Sequence, residues 1–225
     1  MDSRASRRYP GRKKMGAGRS SLEALRELLA RRSMRHGDFV LASGDRSTWY
    51  FDSKATLLSP EGAALAGGVV FDVLRGDDVA AVGGLAMGAT FITTAVALTS
   101  SLRGAPIYGF NVRGRSKEHG LETSIDQSFH PDGRPLLCPG RRVAIVEDVV
   151  TKGGSVVKAI EAVRALECQI VRVVAIVDRQ AGGGERLRAD GLSYLPLFRA
   201  DADGTLHVDD AARAACAAAT PGSSP

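Results

Sequence analysis

Two adjacent carboxylates followed by hydroxyls and glycines mark the most informative segment of the chain, Val143-Ala-Ile-Val-Glu-Asp-Val-Val-Thr-Lys-Gly-Gly-Ser155. The apolar run reads as a buried strand that delivers Glu147 and Asp148 at its carboxyl end. Thr151, Lys152, Gly153, Gly154 and Ser155 then read as a short loop opening a helix. Open α/β sheets bind ligands at the carboxyl ends of their strands. A glycine-containing loop at a helix N-terminus turns backbone N–H groups and the positive end of the helix dipole toward an anion. Thr151 and Ser155 add hydroxyl donors. Carboxylates repel phosphate, so Glu147 and Asp148 must face another part of the same ligand, either sugar hydroxyls or a metal ion bridging to it. The ligand this chemistry describes is a sugar phosphate. Neither G-x-x-x-x-G-K-[ST] nor G-x-G-x-x-G occurs, which sets aside the P-loop and dinucleotide fingerprints. A capped helix after a strand would explain a lone Asp-x-x-Thr, but not all thirteen residues together.

The elements that must position this segment can be read on either side of it. Ser20 or Ser21 caps a helix with Leu22, Leu25, Leu28 and Leu29 on one face, ending near Arg35. Phe39-Val40-Leu41 and Trp49-Tyr50-Phe51 flank the turn-rich Ser43-Gly44-Asp45 and predict a hairpin. Ser59-Pro60-Glu61 is a helix start, with a cap, a first-turn proline and an acid at the dipole's positive end. Strands are expected at 79–82, 106–110, 142–146, 170–177 and 192–198, with helices at 89–102 and 153–166. Near-continuous apolar strands alternating with helices predict an α/β fold, a parallel sheet covered on both faces. Residues 113–140 are polar, with no clear period, and too long to be idle in a compact domain. The domain is expected to span 21–210, with a small N-terminal hood over about 21–60, and the Ala-rich tail at 211–225 is expected to begin as a frayed helix.

Composition narrows the function classes. The 225 residues are 44% apolar and 24% charged, which excludes fibrous and wholly disordered chains. No apolar run is long enough to span a membrane, and the N-terminus lacks the apolar core of a secretory signal. Seven basic residues in 1–20 face the single acid Asp2, leaving 23 basic against 24 acidic elsewhere, so the net +5 belongs to the tail. That segment reads as a solvated, disordered tail rather than a nucleic-acid arm or a transit peptide. Cys138, Cys168 and Cys216 are odd in number and widely spaced, which fits reduced thiols in the cytoplasm and no metal site. His36, His130 and His207 have no partners at catalytic or ligand spacing.

The thirteen-residue segment resembles the phosphoribosyl diphosphate (PRPP) signature of type I phosphoribosyltransferases, and other segments resemble the orotate phosphoribosyltransferase branch. Phe39-Val-Leu-Ala-Ser-Gly44 with Tyr50-Phe51-Asp52 is similar to that family's hood, and Ser59-Pro-Glu-Gly62 to the helix start after it. Gly83-Gly-Leu-Ala-Met-Gly88 stands where its pyrophosphate loop stands. Arg113 to Gly120, with Lys117-Glu118-His119-Gly120, is similar to its mobile catalytic loop, and Val177-Asp-Arg-Gln180 to its orotate-binding strand end.

The resemblance implies the type I phosphoribosyltransferase fold and transfer of the phosphoribosyl group from PRPP to orotate in pyrimidine biosynthesis. It implies Lys117 and Asp148 as catalytic residues. It implies a PRPP-binding set of Arg113, Lys117, His119, Glu147, Asp148, Val149, Val150, Thr151, Lys152, Gly153, Gly154 and Ser155. Thr151 and Arg179 would bind orotate, the arginine pairing with a planar carboxylate. Mg²⁺ would arrive on PRPP with no direct protein ligand, and a homodimer would share the Arg113–His119 loop between subunits. The chain departs from the family where lysines are common, with Ala42, Met87 and Gly114 in their places, while Lys152 and Arg115 are candidates to compensate. Two other readings compete: a type I phosphoribosyltransferase for another base, and a PRPP-binding regulator without turnover.

Overall fold

The computed structural model describes residues 20–40, 46–114, 125–127, 129 and 132–219. Helix α1 (Ser21–Arg32) is capped by Ser20, whose hydroxyl accepts from the Glu23 N–H, and it buries Leu22, Leu25, Leu28 and Leu29. It stops three residues short of the expected end because β1 (Met34–Val40) begins at once and pairs antiparallel with β2 (Arg46–Phe51). A single turn, α2 (Lys54–Leu57), leads into α3 (Pro60–Leu74), where Ser59 caps through the Gly62 N–H. There follow β3 (Ala81–Leu85), α4 (Gly88–Leu102), β4 (Tyr108–Val112), β5 (Ile125–Gln127) and β6 (Arg142–Val150). The chain continues as α5 (Gly154–Arg164), β7 (Gln169–Asp178), α6 (Gly183–Ala189), β8 (Tyr194–Ala200), β9 (Leu206–Val208) and α7 (Asp210–Ala218).

Among the described residues, seven strands form one sheet in the order β5-β4-β3-β6-β7-β8-β9. The five inner strands run parallel, and the short edge strands β5 and β9 are antiparallel to their neighbours. Alternate residues of β6 supply the two halves of the core. Ala144 and Val146 join the cluster under α1, α3 and α4, while Val143 and Ile145 join the one under α5. Burial on both faces is why the strand reads as an unbroken apolar run.

Two differences from the sequence reading bear on the site. Strand β3 begins two residues later than expected and runs on through Gly83 and Gly84 rather than stopping before them. A Cβ on Gly84 would lie 2.1 Å from the Val146 carbonyl oxygen, so this glycine serves close strand packing. Strand β6 continues past Val146 to Val150, which places both acids inside the ladder rather than beyond its end. The helix expected in the Ala-rich segment is α7, capped by Asp209, with Ala212 fully buried against the core.

Candidate active site

A cavity of about 430 Å³ opens where the carboxyl ends of β3 and β6 meet the starts of α4 and α5. It is lined by Lys54, Leu85, Ala86, Met87, Gly88, Glu147, Asp148 and Ser155. Two strand–loop–helix units thus converge on one space, each bringing the unbonded N–H groups of a first helical turn. The acids sit between them. A Cβ on Gly88 would lie 2.5 Å from Asp148 Oδ1 and 3.1 Å from Glu147 Oε1, so only glycine lets the α4 start approach the carboxylates this closely.

The two acids differ in environment. Glu147 is buried, and its Oε2 has no hydrogen-bond partner among the described residues. Burial, reinforced by the Asp148 carboxylate beside it, pushes the Glu147 carboxyl up to about 9. Asp148 is better held. The Ser53 hydroxyl, at the start of α2, donates to Asp148 Oδ2, and the Val149 N–H donates to Oδ1 at 2.9 Å. An orphaned carboxyl oxygen beside an anchored carboxylate suits a ligand rich in hydroxyls. The pair also fits Mg²⁺, which takes hard oxygen ligands and keeps several waters. No cluster of three or more His, Cys, Asp or Glu side chains among the described residues could hold a metal unaided, so a substrate or water would have to complete the shell.

Beyond the acids the chain makes the anion loop foreseen from sequence. Val149 and Val150 end β6, and the Val150 carbonyl accepts from the Arg179 N–H at 2.9 Å. Thr151 and Lys152 are exposed, Gly153 turns the chain at φ +80°, and Ser155 enters both α5 and the cavity lining. Gly183, the first residue of α6, backs this turn: its N–H donates to the Thr151 carbonyl at 2.9 Å, and a Cβ there would meet that oxygen at 2.3 Å. No motif pointed to Gly183.

Arg179 lies apart from this cavity's lining. Its guanidinium carbon sits 3.7 Å from the Trp49 ring centroid, and Nη2 donates to the Ser47 hydroxyl at 3.3 Å. Trp49 is itself held, its Nε1 donating to the Ala202 carbonyl at 3.1 Å. Arg113 ion-pairs with Asp126 of β5 at 3.1 Å and is also outside the lining. Lys117, His119, Arg115 and Ala42 lie outside the described residues, as do the basic tail at 1–19 and residues 220–225. The sequence reading passed over Ser53 and Lys54, although they directly follow the Tyr50-Phe51-Asp52 run it used. A single serine and a single lysine carry no spacing signal.

A family model described as the phosphoribosyl transferase domain matches residues 61–190. The orotate phosphoribosyltransferase of Bradyrhizobium diazoefficiens is 41% identical over 181 residues, covering 80% of this chain and 95% of that protein. The chain belongs to the orotate phosphoribosyltransferase family. A crystal structure of the Mycobacterium tuberculosis H37Rv orotate phosphoribosyltransferase, in complex with Fe(III) dicitrate, matches with a TM-score of 0.67. It is 33% identical, over 79% of this chain and 95% of that one. A second structure of that protein, in complex with PRPP, matches with a TM-score of 0.63 at 30% identity, over 79% and 94%. The α/β fold with its helix-flanked, mostly parallel sheet is thus that of the type I phosphoribosyltransferases. The residues matched by the family model take in both helix-start loops, the acid pair and Arg179, but not Trp49, Ser53 or Lys54.

Proposed function

We propose that this family member transfers the 5-phosphoribosyl group of PRPP to orotate, giving orotidine 5′-monophosphate and pyrophosphate. The observation that carries this reading is the acid pair set between two helix N-termini. A phosphate binds at each end of the cleft, and the sugar hydroxyls meet the carboxyl groups between them. The 5′-phosphate takes the Thr151–Ser155 loop and the diphosphate takes the Leu85–Gly88 side. Glu147 and Asp148 hold the ribose hydroxyls. As the bond from the anomeric carbon to the diphosphate breaks and the bond to the base nitrogen forms, positive charge gathers at that carbon, and the Asp148 carboxylate lies on its face. Arg179 receives the orotate carboxylate with the Trp49 ring at its back.

Mg²⁺, when bound, neutralises diphosphate charge in the substrate and in the leaving group. Lys117 and His119, with Arg113, close over the diphosphate from the neighbouring subunit and keep water from the reactive carbon. Exposed Leu98 and Leu102, one turn apart on α4, offer apolar surface for a homodimer. Three cysteines joined by no disulfide support a reducing, cytoplasmic setting. No helix among the described residues is long and apolar enough to cross a membrane.

The test is loss of orotate absorbance with PRPP and Mg²⁺, run beside a Lys117→Ala variant. Consumption that requires PRPP and falls about 100-fold or more in the variant is expected, since a late-arriving cation on a leaving group contributes on that scale. Absence of PRPP-dependent consumption by the unsubstituted protein would overturn the assignment.

A further inference from the structure

Among the described residues lining the acid-bearing cavity, Lys54 is the one cation. Its ammonium sits 2.7 Å from Asp52 Oδ1, and about half of its side chain is exposed. A pair of this kind is weakened by water, and a multiply charged oxyanion offers the lysine a stronger partner. The backbone that carries it is fixed, because Ser53, one residue earlier, hydrogen-bonds Asp148. Across the cavity, Leu85–Gly88 brings backbone N–H groups and the positive end of α4 but no charged side chain, and Met87 stands 65% exposed in the middle of it. An anion entering here meets two acids, and the partial charge of one helix end is small against a diphosphate.

Resting on the reading of this cleft as a PRPP site, we propose that Lys54 leaves Asp52 and binds the diphosphate of PRPP and the released pyrophosphate. Asp52 is then its resting partner. The N-terminal segment supplies the charge that the Leu85–Gly88 loop lacks, and does so from outside the stretch matched by the family model.

Calorimetric titration of the full chain, as found and as Lys54→Ala and Lys54→Arg, with Mg²⁺-pyrophosphate and separately with ribose 5-phosphate tests this. Lys54→Ala is expected to weaken pyrophosphate binding about 10- to 100-fold, the scale of a charge-assisted hydrogen bond, and to leave ribose 5-phosphate within about twofold. Lys54→Arg keeps the charge and should recover most of the loss. Equal weakening of both ligands would overturn the proposal, since it would make Lys54 a prop for Asp148, and so would an unchanged pyrophosphate affinity. The orotate assay separates the two claims. Selective pyrophosphate weakening in a chain that does not consume orotate upholds Lys54 and sinks the reaction, whereas orotate turnover with pyrophosphate affinity untouched by Lys54→Ala sinks Lys54 alone.

Discussion

The two helix-start loops that face each other across the cleft are built in opposite ways. The loop from β6 to α5 is self-contained. Within five residues, Thr151 to Ser155, it supplies hydroxyls, a lysine and the left-handed turn at Gly153 that aims the helix start. The loop from β3 to α4 holds Ala86, Met87 and Gly88, with a cis peptide between the first two, and brings no polar side chain of its own. Its chemistry is borrowed from elsewhere: the acids from β6, and Ser53 and Lys54 from the N-terminal segment. A self-contained anion site leaves a contiguous signature in the sequence. A borrowed one leaves only the small residue that allows the loan, here Gly88.

Paired glycine substitutions test that contrast most severely. In Gly88→Ala the new methyl meets Asp148 and Glu147, so the acid pair must shift before any ligand arrives. A displacement of that size is expected to lower kcat/KM by about 100-fold, as misplacement of catalytic groups by about 1 Å does. In Gly154→Ala the methyl meets nothing within 4 Å among the described residues beyond its own helical turn and chain neighbours, so stability should hold and any loss should appear as weaker ribose 5-phosphate binding. Thermal melts and steady-state kinetics of the two variants distinguish the cases. Near-normal kcat/KM in Gly88→Ala would show that the β3–α4 loop is not coupled to the acids.

The same contrast accounts for what was legible in the sequence. The inner strands and the helices over them were readable because an apolar strand or a capped amphipathic helix is a local pattern: Ser59-Pro60-Glu61 began α3 as expected. The strand edges were not. Gly83 and Gly84 read as lying beyond the strand, and only the Phe110 and Val146 carbonyls on the neighbouring strands, which no local window contains, require glycine there. Strands β5 and β9, three residues each, exist only by pairing at the sheet margins. Within the site, Glu147, Asp148 and the loop after them were contiguous and therefore visible. Ser53 touches Asp148 across 95 positions, and Gly183 backs Thr151 across 32, so neither could be read from spacing.

Arg179 sharpens the comparison from a third side. Its backbone N–H is bonded to Val150, beside the self-contained loop, while its side chain rests on Trp49 of β2. Removing the guanidinium should leave both phosphate ends of the cleft intact. Arg179→Ala is therefore expected to raise the KM for orotate about 10- to 100-fold, the cost of losing a bidentate charged contact, with the KM for PRPP little changed. Trp49→Phe keeps a ring under the cation but loses the bond to Ala202, and should give a smaller rise in the same parameter. An Arg179→Ala variant whose defect lay in PRPP instead would mean that base and phosphate recognition are not separate here.

The last effect, read in stability rather than in turnover, belongs to the residue between the two loops. Glu147 holds its proton up to about 9 in the folded chain because it is buried next to Asp148, whereas in the unfolded chain it ionises near 4.5. Between those values the folded state binds the extra proton, so this group's contribution to stability is fully present below pH 4.5 and is lost as pH rises toward 9. One proton limits the slope to about 1.4 kcal/mol per pH unit. Glu147→Gln cannot ionise and should flatten the stability curve across that window, with the gain over the parent chain growing toward alkaline pH. Urea titrations at pH 6, 7.5 and 9 would measure it (values spaced to sample the window). Parallel curves for the two chains would mean that Glu147 is already ionised at neutral pH. The acid pair would then be a doubly charged site, and the borrowed cation at Lys54 would be needed to balance it even before substrate binds.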